Sequence, residues 1–113
     1  MTATEHYTVV SLGALAAELL EQARTQHARR TARTVVSSTS MRATVIALAE
    51  GAQLAEHDAP AAATVHVLTG RVRLHTEDRE WMLEGGELVQ VPPQRHGLDA
   101  LTDATVLLTV ALR

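Results

Sequence analysis

The sequence predicts an all-β protein, an antiparallel barrel or sandwich led by one amphipathic helix. Three observations carry this. Eight or nine short apolar runs follow residue 33, several alternating apolar with polar at period two. Gly or Pro punctuates most of them, and no helix-length segment separates them, so a βαβ arrangement does not fit. The one stretch with a three-and-four repeat lies ahead of them all.

That stretch is residues 11–30. Leu12, Leu15, Ala16, Leu19 and Ala23 form a single apolar stripe, and Ser11 is placed to cap it. Glu18 and Glu21 lie early and Arg29 and Arg30 late, the sense that the helix dipole favours. The stripe must cover the strands or pack in a dimer. Val35 and Val36, among Thr and Ser, suit an edge strand, and Ser37 to Ser40 can turn. From Met41 to Ala49 a strand is expected with Ala43, Val45, Ala47 and Ala49 on one face and Thr44, Ile46 and Leu48 on the other. Both faces are apolar, which predicts cover on both sides.

Gly51 then breaks the chain before a short strand from Leu54 to His57, interrupted by Pro60. Thr64 to Leu68 is a strong strand, and Gly70 turns it into Arg71–His75, with Val72 and Leu74 inward and Arg71, Arg73 and His75 outward. A charged turn at Glu77–Arg79 leads to Glu80–Leu83, which holds the only tryptophan, Trp81. Gly85 and Gly86 turn the chain again into Leu88–Val91, stopped by Pro92 and Pro93. Leu98–Leu101 is short, and Thr105–Leu112 closes the series with Val106, Leu108 and Val110 on one face.

At 113 residues the chain reads as one domain, 1–113, with the helix at 11–30 and the barrel at about 33–112. It has no cysteine, so disulfides, thiolate nucleophiles and Cys-based metal sites are excluded. All ten basic residues are Arg, so no lysine amine is present for Schiff-base chemistry. The serines occur in no nucleophile elbow, and no Gly-rich phosphate loop is present. A formal net charge of −3 argues against nucleic acid as partner, although Arg24, Arg29, Arg30, Arg33 and Arg42 run without an acid between Glu21 and Glu50. No apolar run is long enough to span a membrane and Met1–Thr8 lacks signal-peptide character, so a cytoplasmic protein is the expectation.

Of the six histidines, His57 ends a short strand after Gly51 and His96 follows Pro92 and Pro93. Antiparallel strands can bring these distant positions into one cavity, where two imidazoles could hold a divalent metal or orient a polar group. His66 should face away from Val65 and Val67, which makes it the weaker metal candidate. His6, His27 and His75 read as surface residues, and Glu56 and Asp58, flanking His57, point away from it. Leu54, Val65, Val67, Val89, Val91 and Leu108 are the expected pocket lining, suited to a small, mainly apolar ligand.

The chain resembles the small single-domain cupins, of the RmlC-like type with the conserved barrel. Their first motif is met by Gly51, His57 and Gly70, with Ala59 and Ala63 where the family has a second His and a Glu. Their second is met by Gly86, Pro92 and His96, with Gln94 in place of Gly and one residue fewer before His96. The likeness covers about residues 41–112. It implies a double-stranded β-helix, the jelly-roll barrel, and a homodimer. It also implies either no cofactor or a divalent ion (Fe, Mn, Ni or Zn) on His57 and His96. Two of the four usual protein ligands are replaced by alanine. That favours a small-molecule-binding module over a metal-dependent dioxygenase- or isomerase-like enzyme, with a structural or interaction module as the third reading.

Overall fold

The computed structural model describes residues 7–58 and 62–112. The readings made for the N-terminal segment through His6, for Ala59 and Pro60, and for the side chain of His57 lie outside what is described. One helix, α1 (Leu12–Thr25), precedes nine strands: β1 (Arg30–Ser37), β2 (Met41–Leu48), β3 (Gln53–His57), β4 (Ala62–Thr69), β5 (Arg71–His75), β6 (Glu80–Glu84), β7 (Leu88–Gln90), β8 (His96–Ala100) and β9 (Ala104–Ala111). Among the described residues, no helix is long and apolar enough to cross a membrane.

The strands form two antiparallel sheets, one ordered β1-β2-β9-β4-β7 and the other β3-β8-β5-β6. Neither closes on itself. The first ends in free edges at β1 and β7 and the second at β3 and β6, so the jelly-roll barrel expected from the sequence is corrected to an open two-sheet sandwich. The reason for the difference is physical. Period-two alternation reports which face of a strand is buried, and that pattern is the same in a sandwich and in a barrel. Closure needs an edge strand paired on both sides. The three-residue β7 pairs with β4 alone, while the turn at Gly85 and Gly86 leaves β6 in the other sheet.

Two apolar layers hold the sandwich. Between the sheets, Ile46, Leu48, Val65, Val67, Val72, Leu74, Leu83, Leu98 and Val106 form the main core. On the far side of the five-stranded sheet, Leu15, Ala16, Leu19 and Ala23 of α1 pack on Val45 and Ala47 of β2. Strand β2 is thus covered on both faces, as its sequence predicts, and the helix stripe is used inside the chain.

The helix is shorter than expected. It ends at Thr25, and Arg29, with φ of 60°, turns the chain so that Arg30 already begins β1. Arg24 is therefore the one basic residue in the last turn, in place of Arg29 and Arg30. Ser11 takes the extended N-cap conformation, but its hydroxyl makes no capping bond. Glu18 reaches across to Arg33 on β1 at 3.4 Å, and Glu21 pairs with Arg24.

Three glycines at positive φ set the turns: Gly51 (85°), Gly70 (82°) and Gly86 (92°). Gly70 is the tightest. A Cβ there would stand 2.1 Å from the carbonyl oxygen of Asp103, so only glycine lets β4 pass into β5 against the β8–β9 turn. Asp103 itself accepts the Glu50 N–H at 2.7 Å and the Arg24 Nε–H at 2.9 Å. These two bonds hold its carboxyl below the usual carboxylate range.

Candidate functional site: the open end of the sandwich

The inner faces of the sheets are packed unevenly along their length. On β9 the inward residues are Ala104, Val106, Leu108 and Val110, of which the first two are fully buried and the last two half-buried. Leu108 lies opposite Val65 and Thr44, and Val110 opposite Ala63 and Arg42. Across the sandwich, Leu83 is buried while Trp81, two residues along the same face of β6, is half-buried. On β9 and β6, then, burial falls toward the end where Val110, Arg42 and Trp81 lie, while Ala63, Val91 and His96 at that end stay buried. There the inner faces of the two sheets carry aliphatic and aromatic side chains, Leu108, Val110 and Trp81, that pack on the core while staying half-buried. Arg79 stacks on Trp81 at this end, its guanidinium carbon 4.7 Å from the ring centroid.

The residues expected to line a pocket belong to, or pack against, the core between the sheets. Val65 and Val67 are buried, Val67 completely and nearer the closed end. Leu54, Val89 and Leu108 are half-buried and pack on the core, and Val91 is buried just after β7. His96 begins β8 and is 6% exposed. Its Nδ1–H donates to the Gln94 carbonyl at 2.8 Å. In the β3–β8 ladder His57 and His96 are direct register partners. The register slips by one residue between Leu54 and His57, a bulge that the sequence did not reveal. His66 lies on β4 opposite Leu107 and Leu88, on the other face from Val65 and Val67. It is therefore directed away from the cleft.

The donor set does not fit a tightly held divalent ion. The motif positions supply two imidazoles, from His57 and His96, while Ala63 is a buried methyl with no donor atom. Among the described residues, no three His, Asp or Glu side chains gather as a metal site would require.

A second polar group lies on the outer face of the four-stranded sheet. His75, expected at the surface, is instead packed flat over Gly97, its register partner. A Cβ on Gly97 would come within 2.9 Å of the imidazole ring. His75 Nε2 is 3.5 Å from Asp99 and Nδ1 is 3.8 Å from Glu56. Arg73 bonds both Glu80 (2.5 Å) and Asp99 (2.8 Å), which hold its guanidinium still more firmly protonated. Arg95 neighbours Glu56 at 3.7 Å and Asp58 at 3.6 Å. The signal for this packing was Gly97 itself, since a glycine inside a strand marks a close approach. The two carboxylates approach opposite nitrogens of one ring, and the Arg73 ion pairs tie β5 to β6 and β8, so the group links the four strands across their outer face.

No protein-family model matches this chain, and no curated protein matches its sequence. Solved structures do. A conserved protein of unknown function from Streptococcus pyogenes superposes with a TM-score of 0.76 at 23% identity, covering 99% of this chain and 93% of the other. A cupin-2 domain protein from Shewanella frigidimarina gives a TM-score of 0.71 at 13% identity, with 91% and 94% covered. The chain has the cupin fold. An RmlC-like cupin from Desulfovibrio desulfuricans spans it almost completely as well, with a TM-score of 0.67 at 19% identity, covering 99% of this chain and 97% of that one. Within the cupin fold, Gly51, Gly70 and Gly86 are turn residues at positive φ.

Proposed function

We propose that this cupin-fold protein binds a small, mainly apolar molecule in the cleft between its sheets, without a resident metal. The observation that carries this reading is the burial gradient. The wall residues Leu108, Val110 and Trp81 remain half-buried where their neighbours deeper on β9 and β6 are fully enclosed. A concave apolar wall with a few convergent polar groups is the usual form of a small-molecule site. His96, nearly buried and fixed by Gln94, supplies one such group, and His57, its partner in the ladder, supplies a second.

The test is a cleft-filling substitution. Leu108→Trp adds an indole to the inner face without removing core volume, while Met82→Trp adds one to an exposed position on the outer face of β6. A panel of small amphiphilic metabolites is screened by ligand-observed NMR. Binders should be lost with Leu108→Trp and retained with Met82→Trp. Retention in both variants, or no binder in wild type, would overturn the reading.

The chain is also proposed to act as a homodimer. The apolar second face of β2 no longer argues for this, because α1 covers it. What supports a dimer is the free edge of β1, where Thr34 and Val35 line a groove with the exposed Val9 and Val10. Light scattering that returned the mass of one chain at micromolar concentration would contradict it.

A further inference from the structure

We infer that the cleft takes a small organic carboxylate, gripped at its rim by Arg42. The inference rests on the ligand-binding reading above and names the ligand's chemical class.

Arg42 occupies an odd position. The inward register of β2 runs Leu48, Ile46, Thr44 and Arg42, opposite Ala104, Val106, Leu108 and Val110. Three of these four β2 positions carry residues suited to a buried or half-buried wall, and the last, at the open end, carries a guanidinium. The other arginines of the described chain are engaged. Arg24 bonds Asp103 and Arg33 bonds Glu18, while Arg29 and Arg30 donate to the carbonyls of Glu50 and Gln53. Arg71, Arg73 and Arg95 pair with carboxylates, and Arg79 stacks on Trp81. Among the described arginines Arg42 alone has a side chain with no hydrogen bond, ion pair or ring contact. The basic stretch noted in the sequence is therefore consumed internally except at Arg42, which is exposed at the open end of the inward row of β2.

The chemistry of the cleft narrows the class. A guanidinium presents a planar fork that matches one carboxylate with two parallel bonds. The wall beside it is aliphatic, through Leu108 and Val110, which suits a hydrocarbon body. A polyphosphate would need several cations or a nest of backbone amides, and this rim offers one unpaired fork. The opposite side is acidic, with Glu56, Glu77 and Asp78 lining a groove beside Gln94 and Arg95. An anionic head is thus directed to the β2 side, and the ligand's orientation follows from the charge asymmetry.

The test uses matched pairs that differ only in charge: hexanoate against hexanamide, and benzoate against benzamide. Trp81 is the chain's one tryptophan and lies half-buried on the inner face of β6, so its fluorescence serves as the binding signal. Each acid should bind roughly tenfold or more tightly than its amide, the order of effect a charge-assisted fork supplies. Arg42→Gln should bring the acid down to the amide's affinity and leave the amide unchanged, Arg42→Lys should restore part of the difference, and Arg33→Gln at the sheet edge should do nothing. Equal affinity for acid and amide in wild type, or a preference that survives Arg42→Gln, overturns the inference and leaves the cleft standing. Failure of all four probes to bind removes the cleft as a site for such molecules, and the inference with it.

Discussion

Replacing Gly70 with alanine should be far more costly than the same change at Gly51, although both residues hold nearly the same backbone conformation. Gly70 has φ of 82° and Gly51 of 85°. The left-handed region costs a non-glycine residue about 1–2 kcal/mol, and this part of the loss is common to both variants. The surroundings differ. At Gly51 nothing lies within 4 Å of an added Cβ, whereas at Gly70 it would meet the Asp103 carbonyl oxygen at 2.1 Å and Ala104 Cα at 2.8 Å. Both obstacles are backbone and cannot rotate away, so an overpacking cost of about 1–3 kcal/mol is added. Gly70→Ala should then lose about 2–5 kcal/mol in total and Gly51→Ala about 1–2. Urea unfolding followed by Trp81 fluorescence measures both. The displaced segment carries Asp103, whose carboxylate anchors Glu50 and Arg24, so Gly70→Ala and Asp103→Asn should couple by about 0.5 kcal/mol or more in a double-mutant cycle. Equal losses at Gly70 and Gly51 would refute the close approach on which this reasoning depends.

Leu19→Ala removes the most enclosed large side chain of the α1 face and should cost about 2–5 kcal/mol by urea unfolding. Asp103 stabilises the fold with a carboxyl held below its ordinary pKa of about 4. Its contribution is thus complete above that value and lost as pH falls through the lower folded value. Asp103→Asn should accordingly flatten the acid limb of a stability–pH curve and leave the limb above neutrality unchanged. Gly97→Ala should displace His75 from between Glu56 and Asp99 and cost about 1–3 kcal/mol, and His75→Ala in the same chain should recover part of that loss. Metal analysis of untagged protein purified without added ions should find no stoichiometric Fe, Mn, Ni or Zn. A full equivalent that disappears in both His57→Ala and His96→Ala would refute the metal-independent reading.

Much of the architecture was legible because the physics that shapes a strand is local. Alternation in Arg71–His75 placed Val72 and Leu74 inward, and the two apolar faces of Met41–Ala49 foretold a cover on each side, which proved to be the helix and the opposing sheet. Gly51, Gly70 and Gly86 marked turns because only glycine enters that backbone region cheaply. What escaped depended on pairing between distant segments. Closure of the strands into a barrel is decided at the edges, which no period-two pattern records. The bulge before His57 is a register relation between β3 and β8, invisible in either strand alone. The helix was drawn too long because Arg29 and Arg30 fit its charge pattern, whereas the left-handed Arg29 starts the entry into β1. His75 read as a surface histidine because its own strand is polar outward, and the shelter comes from Gly97 on the neighbouring strand. Arg42 was visible as one of a basic run, yet its distinction lies in lacking the internal partner that the others found.

The account depends most on the sandwich being open at the end where Val110 and Trp81 lie. Methyl and indole NMR of the wild-type chain, titrated with hexanoate, examines that end directly. Saturable shifts at Val89, Leu108, Val110 and Trp81, with Val67 and Val106 little moved, are the predicted result. Shifts scattered over the outer faces, or none anywhere at millimolar hexanoate, would contradict it.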